Sequence, residues 1–192
     1  MTEASENLID RIIDLEWEMA GSAAAGAGRP AAAPEDQGAF RVLRWMTHVV
    51  LPDDLLARLL GLLERAKAEG RNLVAEKFAR MEGRIPSQDA PAVITRLVDM
   101  EEAWMKAVHL RYPLTFPEVE GPFRAHLTAD LETLPADYLE ALCAFQTSCR
   151  DAGRNLIEER YEKLFRRLGY ESVKARENKA LLDSRRCGSC CS

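Results

Sequence analysis

The chain is poor in the residues that usually announce chemistry. Only three histidines occur in 192 residues, His48, His109 and His126, and they share no spacing suited to one metal ion. The residues three positions before them are Trp45, Lys106 and Phe123, so the Glu-x-x-His element of di-metal carboxylate bundles is missing. Residues 21–28 are rich in alanine and glycine but lack a following Gly-Lys-Ser/Thr, which excludes a phosphate-binding loop. No nucleophile-elbow pattern occurs. Aromatic residues make up 7%, the tryptophans are not interleaved with a basic groove, and the net charge is −5. That balance argues against a nucleic-acid partner. No apolar run reaches the length needed to span a membrane, and no charged n-region with an apolar core opens the chain. A cytoplasmic, reduced protein is the expectation, with its five cysteines not committed to structural disulfides.

What the chain does contain is a copy of itself. Residues 40–83 align without a gap on residues 123–166 at a constant offset of 83, and 12 of the 44 pairs are identical. These include Phe40-Arg41, Leu51-Pro52, Asp54, Leu56, Leu59, the run Gly70-Arg71-Asn72-Leu73, and Glu76. A repeat of that length signals a supersecondary unit, two copies of which pack together to bury their apolar faces. With abundant Ala, Leu, Glu and Arg, the expected fold is all-α, a duplicated helical unit forming a pseudo-twofold helical bundle. The expected division is a first helical repeat over 1–84, a second over 85–170, and a C-terminal helix with a disordered cysteine-bearing tail over 171–192.

Helical periodicity predicts a first helix over about 5–19, matched in the second copy over 93–106. The Ala/Gly/Pro-rich stretch 21–39 is expected to be a flexible connector, followed by a short helix over 40–48. Long helices are predicted over 53–81 and 135–168, with a short one over 176–186. Each long helix carries an internal glycine, Gly70 and Gly153, which suggests either a close helix crossing or a break; the crossing is the favoured reading. Trp17, Trp45 and Trp104 are expected core or interface anchors, and Cys143 and Cys149 small core residues.

Several segments resemble a bacterial family known only as a domain of unknown function, number 4125. The resemblance rests on Leu15-Glu16-Trp17-Glu18-Met19, Phe40-Arg41-Val42-Leu43-Arg44, Glu69-Gly70-Arg71-Asn72-Leu73 and Glu76-Lys77-Phe78. In the second half it rests on residues 153–156 and Leu168-Gly169-Tyr170. It covers most of 6–172 and implies the helical architecture but no activity. Where family members carry a cysteine in the first connector, this chain has Ala31, Ala32 and Ala33.

Three groups of polar residues stand out. Glu16 has Ile12, Ile13, Met19 and Ala20 at three and four positions on a helix, and Glu101 has Leu97, Val98, Trp104 and Met105. A carboxylate within an apolar stripe must be paired or protonated. Asp10, Asp14 and Glu18 form an ordinary solvent-facing row. Asn72 with Glu76, and Asn155 with Glu159, share a helix face at i,i+4, and Arg71, Arg154 or Arg44 are candidates to neutralise the carboxylates. Structural ion-pair networks rank first for these groups, a small-molecule pocket second and a metal site last. The third group is Cys187, Cys190 and Cys191, a Cys-x-x-Cys-Cys tail beside Arg185 and Arg186. Those arginines favour thiolate, and the spacing suits a soft metal ion such as zinc or copper. A fourth zinc ligand from another subunit would make the assembly a homodimer.

The favoured function is a non-enzymatic helical binding or accessory protein whose tail captures a soft metal or exchanges thiols with a protein partner. The alternatives are a small-molecule-binding or catalytic bundle built on Glu16, Glu101, Glu76 and Glu159 with Arg71 and Arg154, and a helical interaction scaffold.

Overall fold

A computed structural model describes residues 2–26, 34–86, 91–116 and 123–188, with side chains placed through 184 except at 34 and 35. The described residues form nine helices and no strand. They are α1 (Glu3–Gly26), α2 (Pro34–His48), α3 (Asp53–Ala68), α4 (Leu73–Met81), α5 (Ala92–Arg111), α6 (Phe123–Leu131), α7 (Ala136–Asp151), α8 (Leu156–Arg167) and α9 (Val173–Gly188). No helix among the described residues is long and apolar enough to cross a membrane.

The two long helices expected from periodicity are each broken in two, and the favoured crossing at glycine is corrected. Gly70 and Gly153 adopt φ of +71° and +70°, and a Cβ at either would meet no atom within 4 Å. They are therefore present for backbone conformation, not for close packing. Each sits just past a helix end and closes the same hydrogen-bonded turn. Gly70 N–H donates to Lys67 O at 3.1 Å and Arg71 N–H to Ala66 O at 2.8 Å; Gly153 N–H donates to Arg150 O and Arg154 N–H to Cys149 O, both at 2.9 Å. This double closure satisfies carbonyls that the helix end leaves open.

The following helices start on asparagine caps. Asn72 and Asn155 are extended, and their side chains accept from Ala75 N–H and Glu158 N–H. The amide of each cap also donates to a neighbouring helix: Asn72 Nδ2 to Met19 O at 2.8 Å, and Asn155 Nδ2 to Trp104 O at 3.0 Å. One side chain thus starts a helix and fixes it to α1 or α5, three residues after Glu16 or Glu101.

Other boundaries also differ from expectation. α1 continues to Gly26 because Ala23, Ala24 and Ala25 are strong helix formers. α2 begins at Pro34, a residue suited to a helix start. The expected connector is therefore helical at both ends, and residues 27–33 lie outside the described ones. α5 and α9 are likewise longer than predicted.

α1 packs on α2, α3 and α4, and α5 packs on α6, α7 and α8. The two groups meet through α4 against α6, α2 against α8, and α3 against α7, while α9 lies on α8. Ile9, Ile12, Ile13, Leu55, Leu56, Ile94, Leu97, Val98 and Leu156 are almost wholly buried and form one continuous core across both groups. Cys143, Cys149 and Trp104 are buried within it, and Trp45 packs against it at partial burial. Arg167 from α8 stacks over the Trp45 ring of α2 at 4.7 Å, a cation–π contact across the seam.

Candidate functional site

Among the described residues, four of the five buried polar residues, Glu16, His48, Glu101 and Gln146, line one cavity of about 560 Å³ between the two groups of helices. Its walls are mainly leucine side chains from α3, α5, α6 and α7, and its rim includes the exposed Asp36 and the partly exposed Phe78. Glu16 and Glu101 both line it, at 5% and 4% exposure. Each reaches the interior because its helix buries the face on which it lies.

Glu16 is clamped from α2. Arg44 Nε donates to Glu16 Oε2 at 2.7 Å and Nη2 to Oε1 at 2.5 Å. His48 Nε2, on the last residue of α2, lies 3.2 Å from both carboxylate oxygens. Burial alone would raise the Glu16 pKa, but attraction from His48, once the ring is protonated in acid, and from Arg44, with their hydrogen bonds, holds it well below the usual carboxylate range. Burial outweighs the pull of Glu16 on His48 and lowers the ring's pKa, with Arg44 and Arg160 adding repulsion. The ring is therefore neutral at pH 7. Because a carboxylate only accepts, the ring proton sits on Nε2 and Nδ1 keeps its lone pair.

Glu101 is clamped differently. Arg160 from α8 donates through Nη1 to Oε2 at 2.7 Å and through Nη2 to Oε1 at 2.9 Å. Gln146 from α7 donates Nε2–H to Oε1 at 2.8 Å. Beside these clusters, Lys77 of α4 pairs with Asp130 of α6 at 2.7 Å across the seam, and both line the cavity. Bidentate guanidinium–carboxylate pairs are the strong form of this interaction.

The remaining sequence candidates lie elsewhere. Arg71 pairs with Glu76 and Arg154 with Glu159 at 2.8 Å in each case, on partly exposed surfaces. The expectation of four inward glutamates is corrected: Gly70 and Gly153 turn the chain, so Glu76 and Glu159 face their own arginines. Arg71 and Arg154 accordingly do not neutralise the buried carboxylates, whereas Arg44 does. Asn72 and Asn155 are helix caps and do not line this cavity. Among the described residues, no three His, Cys, Asp or Glu side chains converge as metal ligands. Cys187 falls at the end of α9 with its side chain outside the described set, and Cys190 and Cys191 lie outside the described residues.

Three members of the site escaped the sequence reading, and two carried the signal used for Glu16. Arg160 has Leu156, Ile157 and Leu164 at helical spacing; Gln146 has Leu142, Cys143 and Cys149. His48 ends its helix, so no such pattern surrounds it. His48 Nδ1, Gln146 Oε1 and Arg160 Nε are buried without a hydrogen-bond partner among the described residues. Each unpaired buried polar atom costs about 1–3 kcal/mol. Arg80 Nε, Thr147 Oγ1 and Glu162 Oε2 likewise lack a hydrogen-bond partner but lie on residues outside the cavity lining, so the three at the cavity mark a local cost in stability there.

No curated protein and no solved structure matches the chain. The sequence model of one family matches residues 6–178, nearly the whole helical assembly. The chain therefore belongs to the family described as Protein of unknown function (DUF4125).

Proposed function

We propose that this chain is a small-molecule-binding helical protein whose ligand occupies the cavity between two related helical repeats, 1–84 and 85–170. One observation carries the reading. A cavity of about 560 Å³, walled mainly by leucine, is bordered by two buried carboxylate–arginine clusters. Ligand sites have this size and this mixture of apolar wall with a few fixed polar groups. The polar residues at the cavity are Glu16, Arg44, His48, Glu101, Gln146 and Arg160, while Asn72 and Asn155 act as struts that set α4 and α8 against α1 and α5.

The recurrence of the helix-end glycines, asparagine caps and Arg–Glu pairs at an offset of 83 supports descent from one duplicated unit. The two halves differ where the cavity is lined: His48 corresponds to Leu131, Arg44 to Leu127, and Gln146 to Leu63. Differences at these lining positions suit a site that recognises an asymmetric molecule.

A thermal-shift screen of a small-molecule library, run on the full chain and on the cavity-filling variant Leu63→Phe, tests the reading. Compounds that raise the melting temperature of the parent but not of Leu63→Phe are expected. Absence of any stabilising compound, or equal stabilisation of both proteins, would count against the cavity. The tail carries a separate proposal from its sequence, a soft-metal or thiol-exchange arm formed by Cys187, Cys190 and Cys191 beside Arg185 and Arg186. Elemental analysis of the full chain against one ending at Arg186 tests it: metal lost on truncation supports the arm, and equal metal content opposes it.

A further inference from the structure

The charges that border the cavity cancel in pairs. Arg44 answers Glu16, Arg160 answers Glu101, and Lys77 answers Asp130. An anionic ligand would enter with each of these cations already paired, close to three carboxylates, and would lose its hydration. A cationic ligand would find both oxygens of Glu16 already taken by Arg44 and His48. Both charged classes are disfavoured.

Two donors remain. Arg44 makes its hydrogen bonds through Nε and Nη2, so Nη1 meets no acceptor among the described residues. Arg44 lines the cavity and keeps 29% of its side chain accessible, whereas its partner Glu16 keeps 7%. Tyr138, on α7, also lines the cavity, and its hydroxyl has no hydrogen-bond partner among the described residues. Arg58 lies over the Tyr138 ring at 5.9 Å, and Leu59, Leu63, Leu97, Leu131 and Leu142 form much of the cavity wall.

We propose that the occupant of the cavity is an uncharged, largely apolar molecule bearing a carbonyl oxygen, which accepts from Arg44 Nη1 and the Tyr138 hydroxyl. This rests on the cavity reading above and narrows it to one chemical class. Glu16 and His48 act as positioning residues: they hold the guanidinium edge-on so that Nη1 is left toward the ligand.

Three probes on one skeleton test the class: fluorenone, fluorene and fluorene carboxylate, titrated into the full chain with Trp17, a cavity residue, as the fluorescent reporter. Fluorenone is expected to bind about tenfold or more tightly than fluorene, the effect of a hydrogen bond from a charged donor, and more tightly than the carboxylate. Tyr138→Phe, which disturbs no hydrogen bond within the protein, should reduce the preference of ketone over hydrocarbon, and Arg44→Lys should reduce it further. Equal binding of fluorenone and fluorene, or tightest binding of the carboxylate, would overturn the proposed class while leaving the cavity reading in place. If no probe binds, or if Leu63→Phe leaves binding unchanged, both inferences fall together.

Discussion

Removing the Glu16 carboxylate isolates the energetics of the buried cluster. In Glu16→Ala, Arg44 loses the acceptor of two hydrogen bonds and His48 Nε2 loses both of its oxygens. The side chains of Glu16 and His48 are 7% and 3% accessible and that of Arg44 29%, so water restores little of this. Breaking a buried ion pair from one side costs about 3–5 kcal/mol. For a chain of this size each kcal/mol lowers the melting temperature by about 2–4 °C, which places the expected loss at about 6–20 °C. Replacing both partners, Glu16→Met with Arg44→Met, removes the stranded charge and should return most of that loss, since an apolar pair of similar volume is commonly neutral or better. Calorimetric melts and urea unfolding with unchanged m-values provide the measurement. Glu76→Ala serves as the control. Its partner Arg71 is about half exposed, so the change should cost less than about 1 kcal/mol. A Glu16→Ala melting temperature equal to the parent's, or strictly additive losses in the double variant, would show that the Glu16 carboxylate is not held as a buried ion pair.

Three further outcomes follow from particular residues. Stability should decline as pH falls below about 6.5, because the unfolded chain protonates His48 near its ordinary value while the folded ring, depressed by burial, stays neutral; His48→Gln should flatten the profile between about pH 7 and 5 in urea titrations. The Glu16 contribution runs the same way but is lost only in stronger acid, because its folded pKa lies well below the usual carboxylate range. Gly70→Ala forces a side chain into φ of +71° and should cost about 1–2 kcal/mol, whereas Gly61→Ala within α3 meets open space and should stabilise by up to about 1 kcal/mol in denaturant melts. Asn155→Ala loses a helix cap and the strut to Trp104 O and should cost about 1–3 kcal/mol, with faster amide exchange at the start of α8.

Much of this architecture is legible in the residues because burial imposes itself locally. Glu16 and Glu101 are recognisable as inward groups from the apolar neighbours one turn away on each side, and the structure buries both. The recurring Gly-Arg-Asn-Leu run is equally visible, but its meaning is not. A glycine inside a periodic apolar stripe reads alike whether it permits a close crossing or a left-handed turn, and only the positive φ separates them. That single ambiguity displaced Asn72, Glu76, Asn155 and Glu159 from surface and cap roles to interior ones. The partners of the buried carboxylates are harder still. Arg44, Arg160 and Gln146 meet Glu16 and Glu101 from helices 28 to 59 residues away, and no local pattern specifies which cation finds which carboxylate.

The most direct measurement is a crystal structure of the full chain grown with fluorenone. The ketone is expected between the two groups of helices, walled by Leu63 and Leu142, with its carbonyl oxygen within hydrogen-bonding distance of Arg44 Nη1. Fluorenone found only on the outer surface, with leucine side chains closing the interior space, would contradict this placement.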